Sequence, residues 1–222
     1  MSIATNLKHI KATLPKHVEL IAVSKTKPIP LLLEAYEAGQ RIFGENKIQE
    51  MTGKWEKMPK DIQWHMIGHV QTNKVKYMAP YVSLIHGVDS LKLLKEINKR
   101  AAANNRTISC LLQMHIAEEE TKFGLDKNEL FDLLKAPELA AMKNIKLAGL
   151  MGMATFTNDN HQIEKEFNFL KLVFEEVKKL FNDLPQLQFQ VLSMGMSGDY
   201  KIAINCGSNM VRIGSSIFGA RN

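Results

Sequence analysis

Cysteine is scarce in this 222-residue chain: Cys110 and Cys206 are its two, they lie far apart, and neither has a Cys or His neighbour at zinc-ligand spacing. Reduced, buried thiols are therefore expected rather than a disulfide framework or a metal centre. Long apolar runs are missing too, since none approaches the ~18 residues that span a bilayer. The opening "MSIATNLKHIKATLPKHVEL" is broken by Lys8, Lys11 and Lys16, so it lacks the continuous apolar core of a secretory signal. Together these absences imply a cytoplasmic protein with no membrane partner. Blocks of charge are also absent. Lys and Arg number 29 against 23 Asp and Glu, a formal +6, but the surplus is dispersed and not interleaved with aromatics, which argues against a nucleic-acid partner.

What is present is ordinary globular composition, 45% hydrophobic and 23% charged, in a length that suits one domain or two small ones. Short apolar runs alternate with longer amphipathic ones. After an amphipathic stretch at residues 2–14 come eight strand candidates: "VELIAVSKT", "RIFGEN", "WHMIG", "LIHGVD", "SCLLQMHIA", "IKLAGLMGMAT", "QFQVLSMGMS" and "MVRIGSSIFG". Helical or loop-plus-helix segments separate them, with Gly39 suited to a left-handed helix stop and Ser90 to an N-cap. Strands alternating with helices imply parallel pairing through right-handed crossovers. Runs such as "LIAV" and "LAGLM", apolar without alternation, suit strands covered on both faces. Eight such units close into a barrel more naturally than they spread into an open sheet. The expected architecture is a single α/β domain over residues 1–222, a (β/α)8 TIM-type barrel with an extra N-terminal helix. A doubly wound sheet with miscounted strands is the alternative.

Such a barrel carries its active site at the C-terminal ends of its strands, and phosphate sites commonly use the loops after strands seven and eight. The seventh candidate ends in "SMGMSGD", where Gly195 and Gly198 permit close backbone approach and Ser193 and Ser197 supply hydroxyls. The eighth ends in "RIGSS", where Gly214, Ser215 and Ser216 offer backbone N–H groups as an anion nest. Lys25 closes the first strand in "LIAVSKTKP", across the same rim from that cradle. An exposed strand-end lysine is the ordinary reading. An amine combined with a phosphate site has a chemical one, a Schiff base with pyridoxal 5'-phosphate (PLP), in which burial frees the nucleophile. Arg212, two residues before Gly214, should then point into the barrel mouth, where an arginine keeps the pyridine nitrogen unprotonated and weakens the electron sink.

The set "AVSKTKP", "FGENKIQE", "WHMIGHVQTNK", "TKFGL", "GLMGMAT", "LSMGMSGDYKIAI" and "VRIGSSIFGAR" resembles the pyridoxal 5'-phosphate homeostasis protein family. That family is similar to the barrel domain of alanine racemase, the fold-type III PLP barrel. The matches run in the family's order from about Leu20 to Arg221, and "SMGMS" followed by "VRIGSSIFG" is the most specific pair. The resemblance implies Lys25 as the Schiff-base lysine, Ser197, Gly214 and Ser215 around the phosphate, Arg212 at the pyridine nitrogen, and Asn46 in the pocket wall. Taken alone, Asn46 reads as a plain N-cap for the next helix. His65, His69 and His86 stand near strand ends without a recognised ligand spacing, so loop or core histidines are expected and no metal. The methionines of "GLMGMA" and "SMGM" read as packing residues.

Holding PLP does not make a chain an enzyme. A racemase needs a base on each face of the bound amino acid, and in alanine racemase the second is a tyrosine supplied through a separate β-domain and the dimer partner. Here the sequence ends at Asn222, just after the eighth strand, so no such domain is expected. The expected function is a monomeric PLP-binding protein of intracellular PLP homeostasis, without substantial catalysis, whose candidate partners are apo PLP-dependent enzymes. A small PLP-dependent amino-acid racemase or lyase is the alternative. A sugar-phosphate barrel enzyme using Lys25 as an aldolase-type base is a third reading.

Overall fold

The structure, a computed structural model, describes residues 2–118 and 123–219. Thr121 and Lys122 of "TKFGL", and Ala220 and Arg221 of the last motif, lie outside the described residues. The strands are β1 (Glu19–Val23), β2 (Ile42–Glu45), β3 (Gln63–Met66), β4 (Leu84–Val88), β5 (Ile108–Met114), β6 (Ile145–Gly152), β7 (Leu187–Met196) and β8 (Met210–Ile213). They pair in sequence order and all in parallel, and β8 returns to β1 to close the barrel. The joining register, Ile21 to Arg212 and Ala22 to Ile213, rules out the open-sheet alternative. All eight expected strands are present.

The helices among the described residues are α1 (Ile3–Thr13) ahead of β1, then α2 (Ile29–Glu37), α3 (Ile48–Lys57), α4 (Val75–Met78), α5 (Leu91–Ala103), α6 (Lys127–Lys135), α7 (Pro137–Ala140), α8 (Asn160–Leu180), α9 (Tyr200–Asn205) and α10 (Ser215–Phe218). Local chemistry accounts for their ends. Gly39 follows α2 with φ +88°, a left-handed conformation that a Cβ disfavours. The Ser90 hydroxyl accepts the Leu93 N–H at 3.3 Å and satisfies an otherwise orphaned donor of α5.

The fold buries two apolar layers. A large one lies between strands and helices and includes Phe43, Trp64, Leu112 and Phe167, while Ile21, Leu84, Leu111, Met151 and Met210 fill the barrel interior. Each such side chain contributes about 1.5–3 kcal/mol on burial. Side chains on a strand share a face every second residue, so the interior can be followed upward. Leu84 leads to His86, Val191 to Ser193 and Met210 to Arg212. The interior therefore changes from apolar to polar toward the C-terminal ends of the strands, and parallel pairing gathers the loops from those ends on one rim.

Candidate functional site

Lys25 lies two residues beyond β1 and is half-buried. It occupies the second position of a turn closed by the Lys27 N–H, which donates to the Ser24 carbonyl at 3.0 Å. Because β8 pairs with β1, the loop that starts at Gly214 adjoins this turn, and a Cβ on Gly214 would meet the Val23 carbonyl at 3.1 Å. The expectation that lysine and cradle face each other across the rim is thus corrected: closure makes them neighbours. Ser197, just past β7, accepts the Gly214 N–H at 3.2 Å and ties the last two rim loops together. Ser215 and Ser216 are exposed at the start of α10.

The two glycines of the seventh strand's loop separate in role. Gly195 has φ +98°, and a Cβ there would meet Ala203 and Tyr200 at 2.7 and 2.9 Å, so it is needed where α9 packs on β7. Gly198 has open space around it, so close approach does not explain it. Asn46 follows β2 as a half-buried bend, and the N-cap of α3 is Lys47, which makes no side-chain capping bond. The plain N-cap reading of Asn46 is therefore wrong. Its backbone packs tightly on Gly68, and beside it a recess of about 230 Å³ opens between the loops after β2 and β3, with His69 and Lys74 in its wall. A larger recess, about 410 Å³, opens at the opposite rim between Lys11, Val18 and Arg41 and contains none of the expected residues.

Arg212 enters the barrel interior from β8. Its Nη1 donates to the Ser193 carbonyl at 2.8 Å and to Ser193 Oγ at 2.6 Å, and Nη2 donates to the Gly152 carbonyl at 2.9 Å. Ser193 Oγ lies 3.1 Å from His86 Nδ1, and His86 Nε2 lies 3.1 Å from His65 Nδ1. Arginine only donates, so the arrangement that keeps the buried hydroxyl hydrogen paired runs from Arg212 through Ser193 to His86 and His65. Burial lowers His65 to about 3 and holds His86 well below its ordinary value, with His65 and Arg212 adding repulsion to the latter. Both imidazoles are neutral at neutral pH. Burial also lowers Arg212, to about 10, opposed by the charge of Asp199, and it remains cationic. The sequence reading of His65 and His86 as core histidines holds, but their link to Arg212 was not anticipated. His69 lies elsewhere, 3.4 Å from Asp89 and stacked on Phe123.

A second buried cluster stands directly beneath the Lys25 turn. Lys54, on α3, donates to the Ser24 carbonyl at 2.8 Å, to Glu45 Oε1 at 2.7 Å and to Glu50 Oε1 at 2.7 Å. Glu45 Oε1 also accepts the Ser24 hydroxyl at 2.6 Å, and Glu50 Oε1 accepts the Thr26 N–H at 2.6 Å. Burial raises the Glu45 carboxyl above its ordinary value, and Lys54 counteracts that shift. Sequence reasoning missed this cluster. The available signal was the spacing of Lys54, three residues after Met51 and six after Ile48, on the buried face of an amphipathic helix.

Over residues 1–222 the chain matches the family described as alanine racemase, N-terminal domain. It is 39% identical over 208 residues to the pyridoxal phosphate homeostasis protein of Haemophilus influenzae, covering 92% of this chain and 86% of that one. The chain belongs to the pyridoxal phosphate homeostasis protein family. A relative of the same name from Schizosaccharomyces pombe is also 39% identical over 208 residues, covering 93% and 85% of the two chains. Among solved structures, PipY of Synechococcus elongatus without PLP is 33% identical and superposes with a TM-score of 0.91 over 98% of this chain and 100% of PipY. PipY with PLP bound gives a TM-score of 0.88 at the same identity and coverage. An alanine racemase from Clostridium difficile, 15% identical with a TM-score of 0.79, shares the fold over 99% of this chain and 60% of its own. The fold implied by the motifs is therefore the observed one.

Proposed function

We propose that this member of the family binds PLP and serves in PLP homeostasis, holding the cofactor as a Schiff base at Lys25 without substantial turnover. The carrying observation is that closure of β8 on β1 brings three unlike groups into one sector of the barrel mouth: the turn that carries Lys25, the Ser197, Gly214 and Ser215 loops beside it, and the Arg212 guanidinium two residues down β8. PLP bears its aldehyde and its phosphomethyl group on adjacent ring carbons, so it needs an amine and an anion cradle as neighbours. Its ring nitrogen lies across the ring from the aldehyde. A guanidinium has donors only, so Arg212 suits an unprotonated nitrogen. PipY, of nearly the same shape, binds PLP, which supports the reading.

In this assignment the Ser197 hydroxyl and the N–H groups of Gly214 and Ser215 would hold the phosphate, the Gly214 N–H exchanging its bond to Ser197 Oγ for one to the phosphate, and Asn46 would form part of the pocket wall. When bound, the cofactor would supply an aldehyde with which the Lys25 amine could condense, losing water. Lys25 binds it reversibly, Arg212 orients the ring, and the chain works as a cytoplasmic monomer that passes PLP to apo-enzymes. The test is the absorbance of the protein mixed with PLP, followed by borohydride reduction and peptide mass analysis. A ~420 nm band lost on reduction, with the label on Lys25, supports the assignment. A label on another lysine overturns it.

A further inference from the structure

Lys25 is held by a turn whose conformation is unfavourable for its sequence. Thr26, the third residue of the turn, has φ +65°, and a β-branched residue is an outlier there. Strain of this kind persists only where the surroundings over-determine it. Here the surroundings are one buried ammonium and two carboxylates. Lys54 Nζ has three N–H groups, and these meet the Ser24 carbonyl immediately before Lys25, Glu45 Oε1 and Glu50 Oε1. The same carboxylates accept the Ser24 hydroxyl on one side of Lys25 and the Thr26 N–H on the other. The cluster is poorly explained as a source of stability. Buried ion pairs are often no better than apolar packing, and Glu45 Oε2 is buried with no hydrogen-bond partner among the described residues.

We propose that Lys54, with Glu45 and Glu50, is the positioning device for Lys25: it grips the backbone on both sides of that residue and fixes the strained turn that aims the amine at the PLP aldehyde. This rests on the reading of Lys25 as the Schiff-base residue. Within the turn the cluster bonds Ser24 and Thr26, the residues on either side of Lys25. Its removal should thus impair covalent capture and leave the phosphate cradle, carried by other strands, unaffected.

The experiment is a double-mutant cycle read by PLP affinity and by the rate of Schiff-base formation. Lys54→Met is placed in the parent chain and in the Lys25→Ala background. Expected is an affinity about tenfold weaker and slower band formation when Lys25 is present, with affinity unchanged within about twofold when Lys25 is absent. Equal weakening in both backgrounds would mean that Lys54 merely supports the fold, and no weakening in either would mean that it does nothing for Lys25; either overturns the proposal. Glu50→Ala provides a second cycle should Lys54→Met fail to fold, because the Glu50 side chain is 23% exposed and its loss removes the Thr26 contact and one Lys54 partner. The same expected pattern and the same overturning results apply to it. Peptide mapping of the reduced parent chain separates the two levels: a label away from Lys25 overturns the Schiff-base reading itself, whereas a label on Lys25 with a flat cycle overturns only the positioning role.

Discussion

Arg212 gives three N–H groups to Ser193 and to the Gly152 carbonyl inside the barrel, so its plane is set before any ligand arrives. A preorganised charged donor contributes about 1.5–3 kcal/mol to a buried hydrogen bond. Arg212→Gln should accordingly weaken PLP retention by roughly ten- to a hundredfold, measured by equilibrium dialysis; equal dissociation constants would remove Arg212 from the ring nitrogen. Lys25→Ala should abolish borohydride-trapped cofactor yet keep residual, phosphate-anchored binding, since Ser197 and Gly214 lie on other strands. Retention of the trapped label would show that another amine carries it. Both residues stand out in the sequence because each sits at the end of an apolar run, where a charged side chain is conspicuous. Lys54 was not legible in the same way. On an amphipathic helix a lysine is ordinarily solvated, and only the placement of Ser24 and two carboxylates against it makes it buried.

Between single residues and the whole barrel lies the polar layer contributed by β3, β4, β7 and β8. The strands themselves were readable, because parallel strands covered on both faces are continuous apolar runs. Which polar side chains share the interior was not readable, since it depends on the register between strands distant in sequence, such as β3 against β4 and β7 against β8. The short α7 was also missed, four residues being too few to show a helical period. The layer has a pH consequence. His65 is lowered in the folded state to about 3, so as pH falls below about 6.5 the unfolded chain takes up its proton first. Stability fully present above about pH 6.5 is then lost down to about pH 3, and at about pH 5 the His65 share is roughly 2 kcal/mol. Urea unfolding of the parent and His65→Gln at about pH 7.5 and about pH 5 checks this. The parent should lose more stability between the two by that amount, and equal losses would mean that His65 is protonated in the folded chain.

At the scale of the whole molecule the question is whether a barrel proposed to hold PLP would also turn over amino acids. Proton removal and return on opposite faces of a bound amino acid needs two positioned bases and a ring able to accept charge. The chain has four tyrosines, and their hydroxyls are committed elsewhere or turned outward. Tyr36 donates to Asp61 at 2.8 Å, and Tyr81 lies 2.9 Å from the Thr52 hydroxyl. Tyr200 follows the Ser197 turn closely in sequence, but its hydroxyl meets Thr13 at 3.1 Å, at the end of the helix that leads into β1 and hence toward the opposite rim. Tyr77 lies on α4 and is 48% exposed. The hydroxyls of Tyr36, Tyr81 and Tyr200 thus pair with residues other than Lys25 and Gly214. His65 and His86, linked to Arg212 through Ser193, are buried, neutral and hydrogen-bonded to each other, and in the proposed assignment Arg212 disfavours a protonated ring. The expected outcome is therefore negligible exchange when the PLP-loaded protein is incubated with L- or D-alanine or serine in deuterated water, followed by mass spectrometry and chiral chromatography. Racemisation or Cα exchange near an ordinary enzymatic rate, about 10 per second, would replace the carrier reading with an enzymatic one and require a second base that these tyrosines do not supply.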